Sequence, residues 1–414
     1  MKFNQFSLSL ELQKAITQEG YKTATKIQEK VIPLVLEKKD VLVQAQTGSG
    51  KSASFILPLL EMWSKERDNA KKGKIKILVL APTRELSLQL TQFFQDFSRY
   101  FSKKPQIVSL IGGEKIGEQL FDIQQGCDIL VSTTGRFLDV LKKKQMNLSH
   151  LKYLVLDEAD KMLNLDFLEE LDLVLESLPK ERQNLLFSAT YPPKMLELVQ
   201  KIMDNPLEIK LQEEAVVQSI TQEAILVEEM QRAPLLRHLL KERKYKTVLV
   251  FMANKRATDN IAQKFRKHGF SAASFNGDLD QEMRNETLEA FKKKKFNILF
   301  ATDIAARGLD IDEIDCVVNY DLPRSPADYI HRIGRTARAG KSGVALSFID
   351  HETQNHFKII EKRAGIKLQR KSVKGFEIQG EAPKKQKGLA PVKGKKKSKK
   401  DKLREKAQRE KQND

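Results

Sequence analysis

Two tandem α/β domains, each a mostly parallel sheet flanked by helices, with a disordered basic tail behind them, are what three features of this 414-residue sequence predict. Short apolar runs alternate with segments of helical period, the rhythm breaks once and restarts, and the last stretch is Lys-rich with no apolar periodicity. A chain of this length is also too long for one ordinary domain.

In the first block, apolar runs at 41–45, 75–81, 107–111, 129–131, 153–156 and 185–187 are each followed by helical period or helical composition. That is the pattern of βαβ units around a parallel sheet. The second block repeats it with runs at 247–251, 272–275, 298–300, 316–320 and 344–349, while residues 205–221 show no clear period. The expected boundaries are 1–208 for the first domain, 209–221 for a linker, 222–370 for the second domain and 371–414 for the tail.

Hydrophobic residues make up 40% of the chain, enough for two cores, and charged residues 31%. No apolar run approaches the roughly 18 residues of a membrane span. Residues 1–13 alternate polar positions with Phe3, Phe6, Leu8 and Leu10 and contain no continuous apolar stretch of the secretory kind. A cytoplasmic protein with no membrane partner is the expectation. Cys127 and Cys316 lie far apart without a CxxC partner or clustered histidines, so they read as buried free thiols.

The net charge is +18, and residues 381–414 carry 14 Lys or Arg against 5 Asp or Glu. A basic excess of this kind points to a polyanion, since Lys and Arg release counterions when they neutralise phosphates. Charge alone does not separate RNA from DNA or acidic lipid. The tail reads as a polyanion tether, as a solubilising appendage or as an address.

The run Val41-Leu42-Val43 leads into Ala45-Gln46-Thr47-Gly48-Ser49-Gly50-Lys51-Ser52, and a helical segment follows at once. Strand, glycine-rich loop and helix in that order make a phosphate loop. The glycines let backbone N–H groups turn toward phosphate oxygens, Lys51 adds a charge near the β- and γ-phosphates, and the Ser52 hydroxyl suits Mg²⁺. The first position is Ala45 where the general pattern has Gly.

At the end of the run 153–156 stands Asp157-Glu158-Ala159-Asp160. Ligands of an open α/β sheet bind at that edge. Asp157 is suited to hold Mg²⁺, partly through water, and Glu158 to orient or deprotonate an attacking water. Acidic residues also gather at helix N-termini for dipole reasons alone, but Lys51 upstream in the right order favours a nucleotide site.

Further segments, in order, resemble the DEAD-box family of ATP-dependent RNA helicases in superfamily 2, over about residues 6–365. They are Phe6, Gly20-Tyr21, Thr25-Lys26-Ile27-Gln28, the phosphate loop, Pro82-Thr83-Arg84-Glu85-Leu86, Gly112-Gly113, Thr133-Thr134-Gly135-Arg136, the acidic tetrad and Ser188-Ala189-Thr190. In the second block they are Val250-Phe251, Gly277 with Gln281 and Arg284, the run 301–310, and His331-Arg332-Ile333-Gly334-Arg335-Thr336-Ala337-Arg338. The chain is similar to the compact bacterial members with basic C-terminal tails.

The resemblance implies two RecA-like domains and an RNA-dependent ATPase using ATP and Mg²⁺. It implies that Gln28 and Tyr21 read adenine, that Asp310 joins the ATP site, and that Arg335 and Arg338 reach the γ-phosphate as arginine fingers. Asp160, Ser188, Thr190, Asp303 and His331 would couple that site to domain closure. RNA contacts fall on Thr83, Arg84, Gly113, Thr133, Arg136, Gly277, Arg284 and Thr302, suited to phosphate and 2′-hydroxyl recognition without a base code. Read by themselves, Gly112-Gly113 is also a turn, Thr133-Thr134 a helix cap, and Ser188 with Thr190 strand-end capping. Ala24, Lys26, Ser52, Thr134 and Ala337 depart from the family's usual Pro, Pro, Thr, Pro and Gly; none of them removes a charged group. A role in ribosome assembly or RNA turnover is the family analogy. A regulated RNA clamp and a DNA-directed translocase are the competing classes.

Overall fold

A computed structural model describes residues 1–45, 49–66, 74–163, 165–191, 193–211, 220–306, 314–337 and 342–378. Its strands are β1 Val41–Gln44, β2 Ile77–Ala81, β3 Ile107–Leu110, β4 Ile129–Thr133, β5 Tyr153–Leu156, β6 Gln183–Ser188 and β7 Leu207–Lys210 in a first sheet. A second sheet holds β8 Ile220–Leu226, β9 Val248–Met252, β10 Ala272–Phe275, β11 Ile298–Thr302, β12 Cys316–Asn319, β13 Gly343–Ile349 and β14 Arg370–Lys371.

The first sheet is ordered β3-β4-β2-β5-β6-β1-β7 and the second β10-β11-β9-β12-β13-β8-β14. Every described strand pair is parallel, as β1 with β6 (Val41 opposite Leu185) and β9 with β11 (Val248 opposite Ile298). Helices cover both faces, so the central strands are apolar at successive positions rather than alternately. Alternate side chains then feed two cores. Val41 and Val43, Ile77 and Val79, and Tyr153 and Val155 face one helical layer; Leu42, Leu78 and Leu154 face the other. The second lobe repeats this with Val248 and Val250 against Leu249 and Phe251. Each fully buried side chain of this size contributes about 1.5–3 kcal/mol. Phe3, Phe6 and Leu8 pack into the first core, which accounts for the spaced aromatics at the start of the chain.

Because the strands are parallel, their C-terminal ends share one edge of each sheet. The phosphate loop, Thr83, Thr133, Asp157 and Ser188 leave that edge in the first lobe, and Gly277 and Thr302 in the second. Both sets belong to one compact unit, residues 1–378.

Two expected boundaries differ. The linker expected at 209–221 is bordered by strands that run into it: β7 pairs with β1 through Lys210, and β8 begins at Ile220. The strand β7 is an edge strand with only Ile209 buried, so it leaves no apolar period to read. The tail expected from 371 begins later. Lys371 pairs with β8, Arg370 grips Glu361 at 2.7 Å, and Val373 and Phe376 pack on the second core. The rest of the expected tail, 379–414, lies outside the described residues.

Glu66, just past helix Lys51–Lys65, ties three elements together. Its carboxylate takes Lys152 Nζ at 2.7 Å, Lys38 Nζ at 2.9 Å and the Tyr153 hydroxyl at 3.1 Å. Burial works to raise its pKa, but the Lys152 and Lys38 ammoniums overcome it and bring it down to about 2. A folded pKa below the ordinary value means the stabilisation is complete above the ordinary carboxylate range and is lost as pH falls through about 2. Glu66→Gln is expected to lower stability by on the order of 1 kcal/mol at neutral pH, with a difference from the native chain that shrinks as urea titrations are carried to lower pH. A difference independent of pH would contradict this.

Candidate active site and nucleic-acid interface

Helix Lys51–Lys65 begins at Gly50, whose φ of 91° is left-handed. A Cβ there would stand 2.6 Å from Gln28 Nε2 and 2.9 Å from Thr25 Oγ1, so both backbone and space call for glycine. Thr25 caps helix Lys26–Leu36, with Gln28 closing the capping box. Gln28 Oε1 accepts from Thr25 N at 2.9 Å and Nε2 donates to Gly50 O at 3.2 Å. The amide thus clamps the N-terminal segment to the phosphate loop and keeps one N–H and one lone pair for a further partner. Tyr21 is seated edge-on against Phe97 at 5.5 Å and Phe3 at 6.1 Å.

Lys51 is buried and its Nζ donates to Ala45 O at 2.8 Å. Ser52 is half-buried on the first helical turn, beside Ser49 and Gly50. Gln46, Thr47 and Gly48 lie outside the described residues. Asp157 is 3% exposed, and burial raises its carboxyl to about 6 against the pull of Lys51, with the Glu158 charge adding to the rise. Its Oδ1 accepts from Glu158 N at 2.9 Å. Glu158 is held left-handed, φ 50° and ψ 45°. Among the described residues its buried Oε2 accepts no hydrogen bond. A left-handed non-glycine residue costs about 1–2 kcal/mol, and such outliers gather at functional sites.

Asp160 accepts from Ser188 Oγ at 2.9 Å and Thr190 Oγ1 at 3.2 Å, which brings three predicted coupling residues together. Its carboxyl is held below the usual range despite burial, chiefly by the Lys161 and His331 charges. His331 belongs to the other lobe. It is buried at the end of helix Pro326–Ile333, and burial and Lys161 push its pKa down while Asp160 and Glu158 pull the other way. Arg335 is buried beside it, Nε donating to His331 O at 3.3 Å, in a small cavity shared with Phe251, Asp303 and Asp328. Arg338 and Asp310 lie outside the described residues.

Lys161 makes the cross-lobe link on this side. Its Nζ lies 3.0 Å from Asp328 Oδ1 in the second lobe and 3.6 Å from Asp160 Oδ2, and its side chain is 7% exposed. Asp303 differs from expectation: Arg332 of its own lobe grips both its carboxylate oxygens, Nε and Nη2 each at 2.6 Å, so among the described residues it pairs within its lobe.

A cavity of about 390 Å³ lies between the lobes on the other side, lined by Thr83, Arg84 and Thr133 from the first and Gly277, Leu279 and Arg284 from the second. Arg84 Nη1 reaches Gln281 Oε1 at 3.4 Å, and Arg284 grips Glu85 through Nε at 2.6 Å and Nη2 at 2.5 Å. Arg284, expected on RNA, is therefore committed to a cross-lobe ion pair while still lining the cavity. Arg136 donates to the carbonyls of Ile111 at 2.8 Å and Glu114 at 2.5 Å, stapling the Gly112-Gly113 turn rather than lining the cavity. Gly113, at φ 85°, lies against the Arg84 guanidinium, and Thr302 ends β11; neither lines the cavity. Thr133 precedes helix Thr134–Lys142 without a side-chain cap bond.

Lys161, Asp328 and Glu85 were missed as site residues. Lys161 directly follows the acidic tetrad, but nothing local announces a partner 167 positions away.

Two parallel sheets facing each other across a phosphate loop, an acidic pair and a basic helix end define a two-lobed, RecA-like nucleotide hydrolase of the nucleic-acid motor class. The chain belongs to the DEAD-box family of ATP-dependent RNA helicases. Residues 25–199 match the DEAD/DEAH box helicase domain and residues 231–340 the helicase conserved C-terminal domain. The DEAD-box ATP-dependent RNA helicase CshA of Bacillus subtilis is 38% identical over 369 residues, covering 89% of this chain and 73% of that one. The structure of S. cerevisiae Dbp5 bound to RNA and ADP BeF3 is 31% identical, covers 90% of this chain and 95% of that one, and gives a TM-score of 0.79. A DEAD box protein from Methanococcus jannaschii is 38% identical over 89% of this chain and 99% of that one, with a TM-score of 0.53. The last is nearer in sequence yet superposes less well over the whole chain.

Two outcomes follow. Asp328→Asn is expected to raise the RNA concentration needed for half-maximal ATPase by roughly tenfold, with Asp328→Glu retaining most of the native value; equal behaviour of both variants and the native chain would remove the Lys161 link from closure. Ala337 is left-handed at φ 56° where the family pattern has glycine. Ala337→Gly relieves that strain but gains unfolded-state entropy, so a net stabilisation of about 0.5–1 kcal/mol is expected in denaturant titrations.

Proposed function

We propose that this chain hydrolyses ATP to ADP and phosphate only when RNA and the second lobe complete the site, and that closing and reopening locally unwinds or remodels RNA. The observation that carries this reading is the closed lobe setting, with Lys161 Nζ of one lobe 3.0 Å from Asp328 Oδ1 of the other and Arg284 of the second lobe paired with Glu85 of the first.

In this reading Gln28 and Tyr21 read adenine, and the loop 45–52 with Lys51 binds the phosphates, joined by Asp310. Glu158, with its unbonded Oε2, orients the attacking water. Arg335, with Arg338, supplies positive charge as the γ-phosphate leaves. Ser52 and Asp157 are hard oxygen donors that fit Mg²⁺, an ion content with one or two protein ligands besides waters and phosphate oxygens. When bound, it neutralises charge on the phosphates. Asp160, Ser188, Thr190 and His331 report the state of the site to the lobe interface, and Asp303 does so through Arg332.

On the RNA side, Thr83, Arg84, Thr133, Gly277 and Arg284 present hydroxyls, guanidinium groups and open backbone to one strand, with Gly113, Arg136 and Thr302 shaping the walls. Groups of this kind bind phosphate and sugar with little sequence preference. A cytoplasmic place of work belongs to the same proposal, since both substrates are abundant there.

The test is steady-state ATP hydrolysis without nucleic acid, with single-stranded RNA and with matched DNA, repeated for Glu158→Gln. RNA alone should stimulate, and the substitution should lower kcat by about 10²–10⁴ while nucleotide binding persists. Equal stimulation by DNA would favour a DNA-directed motor. Stimulation by neither, with a short duplex left intact, would favour a regulated clamp.

A further inference from the structure

The second lobe has a face that none of this chemistry uses. In its sheet β10, β11 and β9 are neighbours in parallel register, Ala272 opposite Ile298 and Ile298 opposite Val248. The segments entering these strands therefore emerge side by side on the edge opposite Gly277 and Thr302, about 5 Å apart strand to strand.

All three segments are basic and exposed. Arg266 and Lys267 precede β10, the lysine run 292–295 precedes β11, and Lys244 and Lys246 precede β9. Backbone bonds from Val248 N to Asn297 O and from Asn297 N to Ser271 O join them into one surface. Ser271 Oγ donates to Lys295 O at 3.1 Å, and Lys241 Nζ lies 5.9 Å from the Phe270 ring. Among the described residues Lys244, Lys246, Lys267 and Lys295 form no ion pair. Acids nearby are few. Glu289 reaches Lys293 at 3.6 Å and Lys292 at 3.9 Å, and Asp315 takes the backbone N–H groups of Lys246 and Thr247.

The same edge of the first lobe also carries lysines, and two of them, Lys38 and Lys152, share the single Glu66 carboxylate.

One helix joins the basic edge to the cleft. Helix Gln281–Lys292 starts with Gln281 and Arg284 against the first lobe and ends in the lysine run. Twelve residues at 1.5 Å rise put about 18 Å between the two.

We infer that this N-terminal edge of the second sheet is a second phosphate-binding surface, which holds RNA running out of the cleft along helix Gln281–Lys292. The inference rests on the RNA reading of the cleft given above. Exposed lysines of this kind take a phosphate backbone without reading bases, and each neutralised phosphate adds to affinity and to its salt dependence. Continuity with the cleft through one helix favours RNA over an acidic polypeptide.

The experiment uses the full chain carrying Lys246→Ala, Lys267→Ala and Lys295→Ala together, all on exposed side chains outside the ATP site. Binding is measured against salt for a single strand of about 10 nucleotides, near the footprint of one binding cleft, and for one several times longer. The triple variant should bind the long RNA about tenfold less tightly, and the slope of log affinity against log salt should fall by about 2, near 0.7 for each of three phosphates. Affinity for the short RNA and the ATPase rate that it stimulates should stay unchanged. An unchanged long-RNA affinity and slope, with the short RNA still stimulating, would overturn the inference and leave the cleft reading standing; equal losses on both lengths would also overturn it. A native chain that the short RNA fails to stimulate would mark the failure of the cleft reading itself. If the variant lost only the binding of polyglutamate, the edge would belong to an acidic protein instead.

Discussion

A lysine buried between carboxylates of two lobes is the interaction on which the closed arrangement turns. Lys161 stands between Asp160, which Ser188 and Thr190 fix beside the phosphate site, and Asp328, at the start of the helix that carries His331. On the other side Arg284 and Glu85 make the matching pair beside the cavity. Desolvation offsets much of the attraction in a buried ion pair, so neither pair closes the lobes by a wide margin. Such pairs are instead severe toward geometry, since a lobe shifted by a few ångströms leaves charges buried and unpaired. With one such pair on each side of the interface, an equilibrium between lobe settings responds to small differences in binding free energy at either side.

The chemistry reached this interface because parallel strands end together. The continuous apolar runs of β1, β2, β5 and β9 were legible because both faces of these strands are buried. With the strands came Lys51, Asp157, Glu158 and Ser188, each within a few residues of a strand end. Elements with little apolar content were not legible. The edge strand β7 buries only Ile209, and β14 is two charged residues held by pairing with β8 and by Glu361.

Side-chain partners were the least legible part of the site. An arginine in a motif does not announce whether its guanidinium will meet a phosphate, a carboxylate or a carbonyl. Arg136 took two backbone carbonyls, Arg284 took Glu85, and Arg332 took Asp303, which sequence reasoning had assigned to bridging. In each case the choice depends on residues brought near only by the fold. Gln28 is the opposite case: its capping box with Thr25 is written within four residues, and the same amide goes on to fix Gly50.

Backbone strain marks where function overrides local preference. Glu158 remains left-handed because its surroundings leave it little choice: its N–H is held by the Asp157 carboxylate, its carbonyl by the Lys161 N–H at 2.9 Å, and Asp157 itself by Leu80 O at 3.0 Å. The conformation turns a carboxylate off the end of a buried strand while Asp157 beside it stays on the strand axis. Two adjacent acids in extended backbone would point to opposite faces of the sheet. The left-handed turn is what lets both address one site, and Lys161, three residues on, ties that turn to the opposite lobe. The strained residue and the interlobe ion pair are thus two ends of a single short segment, so a displacement at one is felt at the other without any longer path.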